Sequence, residues 1–200
     1  MARSGIIIGI DEVGRGPWAG PVVATAVALP TGLELPGVKD SKLLTAKRRG
    51  ELADLIRRRA LGIGIGWSQH DLVDQSGLTN AVRQAMLQAL NDCGSDCENI
   101  VIDGNYHYLK DTYPAAQPII KADQSYLCVA AASIIAKVAR DQFMIKMAQL
   151  YPGYGFERHV GYGTAEHRLK LLELGPSPIH RFSFKPLWSQ TSLVGAMGVD

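Results

Sequence analysis

The chain has 200 residues, 46% of them hydrophobic, and a formal net charge of +2. That size and apolar content suit a folded unit with its own core and exclude the highly charged, apolar-poor composition of a disordered chain. No run approaches the ~20 apolar residues of a membrane helix, and the N-terminal MARSG lacks a signal-peptide core, so a cytoplasmic protein with no membrane contact is expected.

Ile6–Ile10 is apolar on both faces and predicts a central buried strand, closed by the acidic pair Asp11 and Glu12. Val22–Leu29 predicts a second strand, and TGLELPGVKDSKL is a loop rich in turn residues. A helix is expected over Thr45–Ala60, with Thr45 as its N-cap. In LGIGIGWSQ, strict alternation puts Gly62, Gly64 and Gly66 on one face. This predicts a strand with a flat side against which another element packs closely. It is not a dinucleotide loop, because the spacing is not G-x-G-x-x-G and no helix start follows directly. Short helices follow around Ser68–Gln75 and Leu78–Asn91, then strands in NIVIDGN and QPIIKAD. Tyr126–Leu150 is the longest helix, apolar almost all round in its first half. Ser133, Lys137, Arg140 and Asp141 interrupt it along one stripe. Beyond YPGYG come Gly/Pro turns, aromatics and a helix near Ala165–Leu174, and from Ser189 a loose tail.

A run of strands followed by alternation with helices predicts a mixed α/β sheet with helices on both faces. The expected organisation is a catalytic domain over 1–150, a small helical C-terminal subdomain over 151–188 and a flexible tail over 189–200. Cys93, Cys97 and Cys128 have no zinc-site spacing and read as thiols in a reducing compartment. Between Lys137 and Lys185 the chain is mildly basic, with eight Lys/Arg against four Asp/Glu.

Acidic residues recur at element ends: Asp11 and Glu12, Asp103 after IVI, and Asp123 after PIIKA. In α/β sheets, sites gather where strand ends open outward. Carboxylates meeting there repel unless a cation offsets them, and hard oxygen ligands favour Mg²⁺ or Mn²⁺ over zinc. Each residue also has a plainer reading: Asp103 before glycine as a turn residue, Asp123 as N-cap of the long helix. Adjacent strand residues face opposite ways, so Asp11 and Glu12 can share one site only if the strand ends or bends there. The following Gly14-Arg15-Gly16 is either a tight turn or a backbone nest approached closely by a sugar or phosphate.

GIDEVGRGPWAGPVV, DSKLL, VIDGN, KAD…AAASIIAKVARD and GYGTAEH…GPSPIHRFSF together closely resemble ribonuclease HII, over about Ile6 to Pro186. The Asp-Glu pair at position 11 is expected to leave no room for the extra N-terminal domain of the type HIII enzymes. The resemblance implies a ribonuclease H-like sheet and an endonuclease that cuts RNA in RNA–DNA hybrids. It also implies nicking on the 5′ side of single ribonucleotides embedded in duplex DNA, by two-metal-ion catalysis, leaving 3′-hydroxyl and 5′-phosphate ends. Asp11, Glu12, Asp103 and Asp123 align with the family's acidic metal-binding set, for two Mg²⁺ or Mn²⁺ ions. Gly14, Arg15 and Gly16 align with the motif that reads the 2′-hydroxyl, Tyr162 with the tyrosine that stacks on the junction sugar, and Lys42 with a phosphate contact. Ala122 stands where many bacterial relatives have glycine. Val160 stands where a lysine is frequent, which removes one expected backbone contact. QTSLV, Gln190 to Val194, loosely resembles peptides that dock replication enzymes on a sliding clamp, and a monomer is expected.

Overall fold

The computed structural model describes residues 5–38, 44–95, 99–185 and 187. Lys42, Cys97 and the tail over 189–200 lie outside the described residues. Five strands form one sheet: β1 (Ile6–Val13), β2 (Val22–Pro30), β3 (Gly62–Ser68), β4 (Ile100–Asp103) and β5 (Gln117–Ile119). Their order is β3-β2-β1-β4-β5. β1 pairs antiparallel with β2, and β2 with β3; β4 runs parallel to both β1 and β5. The helices are α1 (Ala46–Arg59), α2 (His70–Ser76), α3 (Leu78–Cys93), α4 (Ala122–Ser125), α5 (Leu127–Leu150), α6 (Phe156–His159) and α7 (Ala165–Leu174). None of those described is long and apolar enough to cross a membrane.

Both sheet faces are covered, as the doubly apolar pattern of β1 requires. On one face Ile8, Ile10, Ala24, Ala26 and Ile102 pack with Ala81, Ala85 and Ala89 of α3. On the other, Val27, Leu29 and Val101 pack with Leu52 and Ile56 of α1 and with Val129, Ala132 and Ile135 of α5. The glycine face of β3 meets α3. A Cβ at Gly64 would lie 1.9 Å from the Ala89 carbonyl oxygen, and one at Gly66 1.8 Å from that of Ala85. Small residues on both sides let helix and strand approach this closely.

One expectation and one alternative reading need correction. β1 does not stop before the acidic pair: its ladder with β2 continues through Asp11–Thr25, Glu12–Ala24 and Val13–Val23. What stops is the other edge, because β4 is short and its pairing ends at Ile10–Ile102. Nor does Asp123 cap the long helix. It sits in α4, and α5 begins after Tyr126. Thr45, by contrast, does cap α1, its hydroxyl accepting from the Arg48 amide at 3.2 Å.

A third cluster, under α6, joins Ala19, Met144, Tyr154, Phe156 and Ile179, with Val160 packed against it. Thr164 caps α7 by accepting from the His167 amide at 3.1 Å. Three histidines, His159, His167 and His180, are buried in this region.

Candidate active site

The carboxylates come from three places. Asp11 and Glu12 project from the part of β1 that β4 leaves open, Asp103 ends β4, and Asp123 is buried in α4. Asp103 and α4 are tied directly: the Ala122 amide donates to Asp103 Oδ1 at 2.8 Å. Asp11, Glu12 and Asp103 lie close enough to repel one another. Burial first, then the Glu12 and Asp103 charges, push the Asp11 carboxyl up to about 8, against the pull of the Ser133 hydroxyl and the Glu12 amide. Burial also raises Glu12, partly offset by Arg15. The short reach of β4 thus resolves the facing problem: although β1 continues, both members of the pair feel Asp103.

Among the described residues, no three His, Cys, Asp or Glu side chains already stand as a metal-holding cluster. Each of three carboxylates has turned to a local donor instead. Glu12 Oε1 takes Arg15 Nη1 at 3.3 Å, Asp11 Oδ1 takes the Glu12 amide at 2.8 Å, and Asp103 takes Ala122. The donor set nonetheless fits a hard divalent cation. It is all oxygen, Glu12 Oε2 is buried without a hydrogen-bond partner, and Asp11 resists carrying its charge among its neighbours.

The turn after β1 is built the opposite way. Two fully buried arginines fix it through its carbonyls. Arg181 donates to the oxygens of Gly14 at 2.6 Å, Arg15 at 3.1 Å and Gly20 at 2.8 and 2.9 Å. Arg140, from α5, donates to Pro21 at 2.9 Å, Ala19 at 3.0 Å and Val160 at 2.9 Å. Burial depresses both guanidiniums, Arg181 to about 9 and Arg140 to about 10, which leaves each charged at neutral pH. In a trans peptide the N–H of one residue points opposite to the preceding C=O. With the Gly14 and Arg15 carbonyls turned inward to Arg181, the amides of Arg15 and Gly16 face away from it. The Arg15 side chain is exposed, beside Glu12 and over the Tyr108 ring, 6.0 Å from its centroid.

The two glycines of the turn differ. Gly14 has φ +93°, and a Cβ there would meet Arg140 Nε at 2.4 Å and the Pro21 oxygen at 2.5 Å. Gly16 has an ordinary φ, and its Cβ would find only Tyr162 Cε1, at 3.9 Å. The fold therefore demands glycine at 14 and not at 16. Tyr162, 40% exposed, lies beside the turn and beneath Arg140, whose guanidinium carbon is 5.9 Å from the ring centroid. The segment before it is pinned to the same turn: the Trp18 amide donates to Gly161 O at 2.8 Å.

Of the residues singled out in the sequence, Asp11, Glu12, Asp103 and Asp123 come from converging elements, and Gly14, Arg15, Gly16 and Tyr162 adjoin one another. Lys42 is outside the described residues. Sequence reasoning missed what Ser133, Arg140 and Arg181 do. For Ser133 and Arg140 the available signal was a polar stripe in an otherwise apolar helix, since buried charge persists only where it is hydrogen-bonded. Val160 takes a left-handed conformation, φ +44°, and gives its carbonyl to Arg140.

The ribonuclease HII family matches residues 8–187. Ribonuclease HII of Geobacter sulfurreducens is 49% identical over 180 residues, covering 90% of this chain and 82% of that protein. The crystal structure of ribonuclease H2 from Pyrococcus horikoshii superposes with a TM-score of 0.79 at 24% identity, over 94% of this chain and 98% of that one. The PCNA:RNase HII complex from Archaeoglobus fulgidus gives 0.75 at 26% identity, over 90% and 95%.

Proposed function

The chain belongs to the ribonuclease HII family, and from that footing we propose that it nicks duplex DNA on the 5′ side of a single ribonucleotide as well as cutting the RNA strand of RNA–DNA hybrids. As a member of that family it is an endoribonuclease, a phosphodiester hydrolase. The observation that carries the finer reading is Gly16: a glycine for which the free protein has no steric need, beside an outward-facing amide and an exposed tyrosine. RNA differs from DNA at the 2′-hydroxyl, and main-chain amides can meet that group without sensing the base. The amides we give this role are those of Arg15 and Gly16, because the Gly14 and Arg15 carbonyls are turned inward to Arg181. Tyr162 then packs its ring on the sugar at the junction.

Asp11, Glu12, Asp103 and Asp123 would hold two Mg²⁺ or Mn²⁺ ions. Such ions, when bound, stabilise charge on phosphodiester oxygens and make water a better nucleophile. The protein's own part is positional. Ser133 steadies Asp11, the Ala122 amide orients Asp103, and Arg15 balances Glu12 at the edge of the site. Hydrolysis leaves a 3′-hydroxyl and a 5′-phosphate with no covalent enzyme intermediate.

The test is Gly16→Ala. It should leave the unfolding midpoint unchanged and lower kcat/KM on a duplex bearing one ribonucleotide by about tenfold or more, because the added methyl stands where the sugar must approach. Full activity in that variant would remove the 2′-hydroxyl reading. For the tail, the Archaeoglobus protein was solved in complex with PCNA, and Gln190–Val194 serve here as the proposed clamp-docking segment. Deleting residues 189–200 should abolish binding to a purified sliding clamp and spare cleavage.

A further inference from the structure

Behind Tyr162 lies a hydrogen-bonded line of two buried histidines whose tautomers can be assigned from both ends. His167 Nδ1 is 2.9 Å from the Tyr162 carbonyl oxygen, which can only accept, so Nδ1 carries the proton. Its Nε2 is 3.0 Å from His180 Nε2. In neutral His167 that nitrogen accepts, so His180 must donate from Nε2. The far end gives the same answer independently. His180 Nδ1 receives the Ser177 amide at 2.8 Å and lies 2.8 Å from the Ser177 hydroxyl. The Ser177 carbonyl oxygen is farther, at 3.2 Å, and already takes the His180 amide at 3.0 Å, so the shorter amide donation decides: Nδ1 is unprotonated and the proton is on Nε2. Burial holds both imidazoles near 4, so the line is uncharged at neutral pH.

A third ring completes the mounting. His159 stacks on His167 with centroids 4.4 Å apart. Its Nε2 donates to the Tyr154 carbonyl at 2.8 Å, and its Nδ1 accepts the Gly161 amide at 3.2 Å. The Tyr162 amide donates to the His159 carbonyl at 2.9 Å. Both backbone groups of Tyr162 are thus engaged from the histidine side, its carbonyl also taking the Thr164 amide at 2.8 Å, while its ring lies next to Gly16. The line is also joined to the turn: Ala19 bridges His180, and the Gly20 amide donates to Ile179 O at 2.9 Å.

We propose that His167 and His180 are positioning residues for substrate recognition: their single-tautomer line sets where the Tyr162 ring stands over the Gly14–Gly16 turn, and so how well the junction sugar is gripped. This rests on the reading that Tyr162 contacts the sugar. The line touches none of the acidic side chains, so its effect belongs to binding rather than to bond cleavage.

Two measurements test it. In the unmutated protein, ¹⁵N imidazole NMR at neutral pH should show His167 protonated at Nδ1 and His180 at Nε2, with scalar coupling between the two Nε2 nuclei. The opposite tautomers would overturn the proposal without any variant having to fold. In kinetics on a duplex with one ribonucleotide, His167→Leu should raise KM by about tenfold, with kcat changed by less than about twofold. His167→Asn, which keeps a donor toward the Tyr162 carbonyl, should recover most of that loss. Tyr162→Ala, measured alongside, should raise KM at least as far. A raised KM in Tyr162→Ala with an unchanged one in His167→Leu overturns the positioning role alone. An unchanged KM in Tyr162→Ala removes the sugar contact, and the positioning role with it.

Discussion

At the acidic strand ends, Asp11, Glu12 and Asp103 gather in a sheltered place and raise one another's cost of ionisation. In the turn immediately after, the carbonyls of Gly14, Arg15, Ala19, Gly20 and Pro21 meet two guanidiniums that satisfy them from below. One region is left short of positive charge, and the other is over-determined by it. The difference separates two tasks. On the proposed function, the acidic set would accept a cation and change its contacts as it does so. The turn, on the same reading, would present amides at a fixed height, and rigid hydrogen bonding to buried arginine suits that.

Substitutions that cross this division should behave in opposite ways. Asp103→Asn keeps the acceptor for the Ala122 amide and relieves repulsion. It is expected to leave the metal-free protein equally or more heat-stable while lowering cleavage by at least about a thousandfold, read by single-turnover assay and thermal melt. Arg181→Met should do the converse to the fold: stripping buried carbonyls of their donors costs about 3 kcal/mol or more in urea unfolding. Arg181→Lys should lose less, since it keeps the charge but not the fork.

The histidine line offers a pH probe of the rigid side. His167 and His180 have folded values near 4, below the 6.5 of the unfolded chain. Between those values the unfolded state binds more protons, so the pair's contribution to stability falls as pH drops from about 6.5 to 4, by a few kcal/mol, and is flat above. Asp11, raised to about 8, contributes the opposite slope between about 4 and 8, so the pair's share is read as the difference between the parent and a histidine variant. His167→Leu should flatten much of that slope in unfolding titrations. The smallest effect is expected at Gly14→Ala, about 1–3 kcal/mol, from its positive φ and the crowding by Arg140. A Gly14→Ala variant as stable as the parent would mean the turn is less tightly held than described.

Much of this was legible in the chain. Doubly apolar runs gave the central strands, and the Gly62–Gly66 alternation announced the close approach of α3. The blocks around Asp11, Asp103 and Asp123 marked the acidic set. What could not be read was set by distant partners. β1 runs past Asp11 because β2 is long enough to pair with it, while the open edge there depends on β4 being short. The roles of Arg140 and Arg181 depend on carbonyls more than 100 residues away in sequence, which no local pattern encodes. The plainer reading of Asp123 as cap of the long helix fails because Ala122–Ser125 makes a short helical turn of its own before α5 starts at Leu127.

The anchoring of the turn by Arg181 also imposes an order on biosynthesis. The Gly14 carbonyl waits for a donor 167 residues downstream. A nascent chain displays Asp11 and Glu12 early, but the amides proposed to read the sugar have no support until Arg181 has left the ribosome. Ribosome-bound intermediates stalled before that point should therefore be unable to nick nucleic acid, and competence should arrive late and all at once.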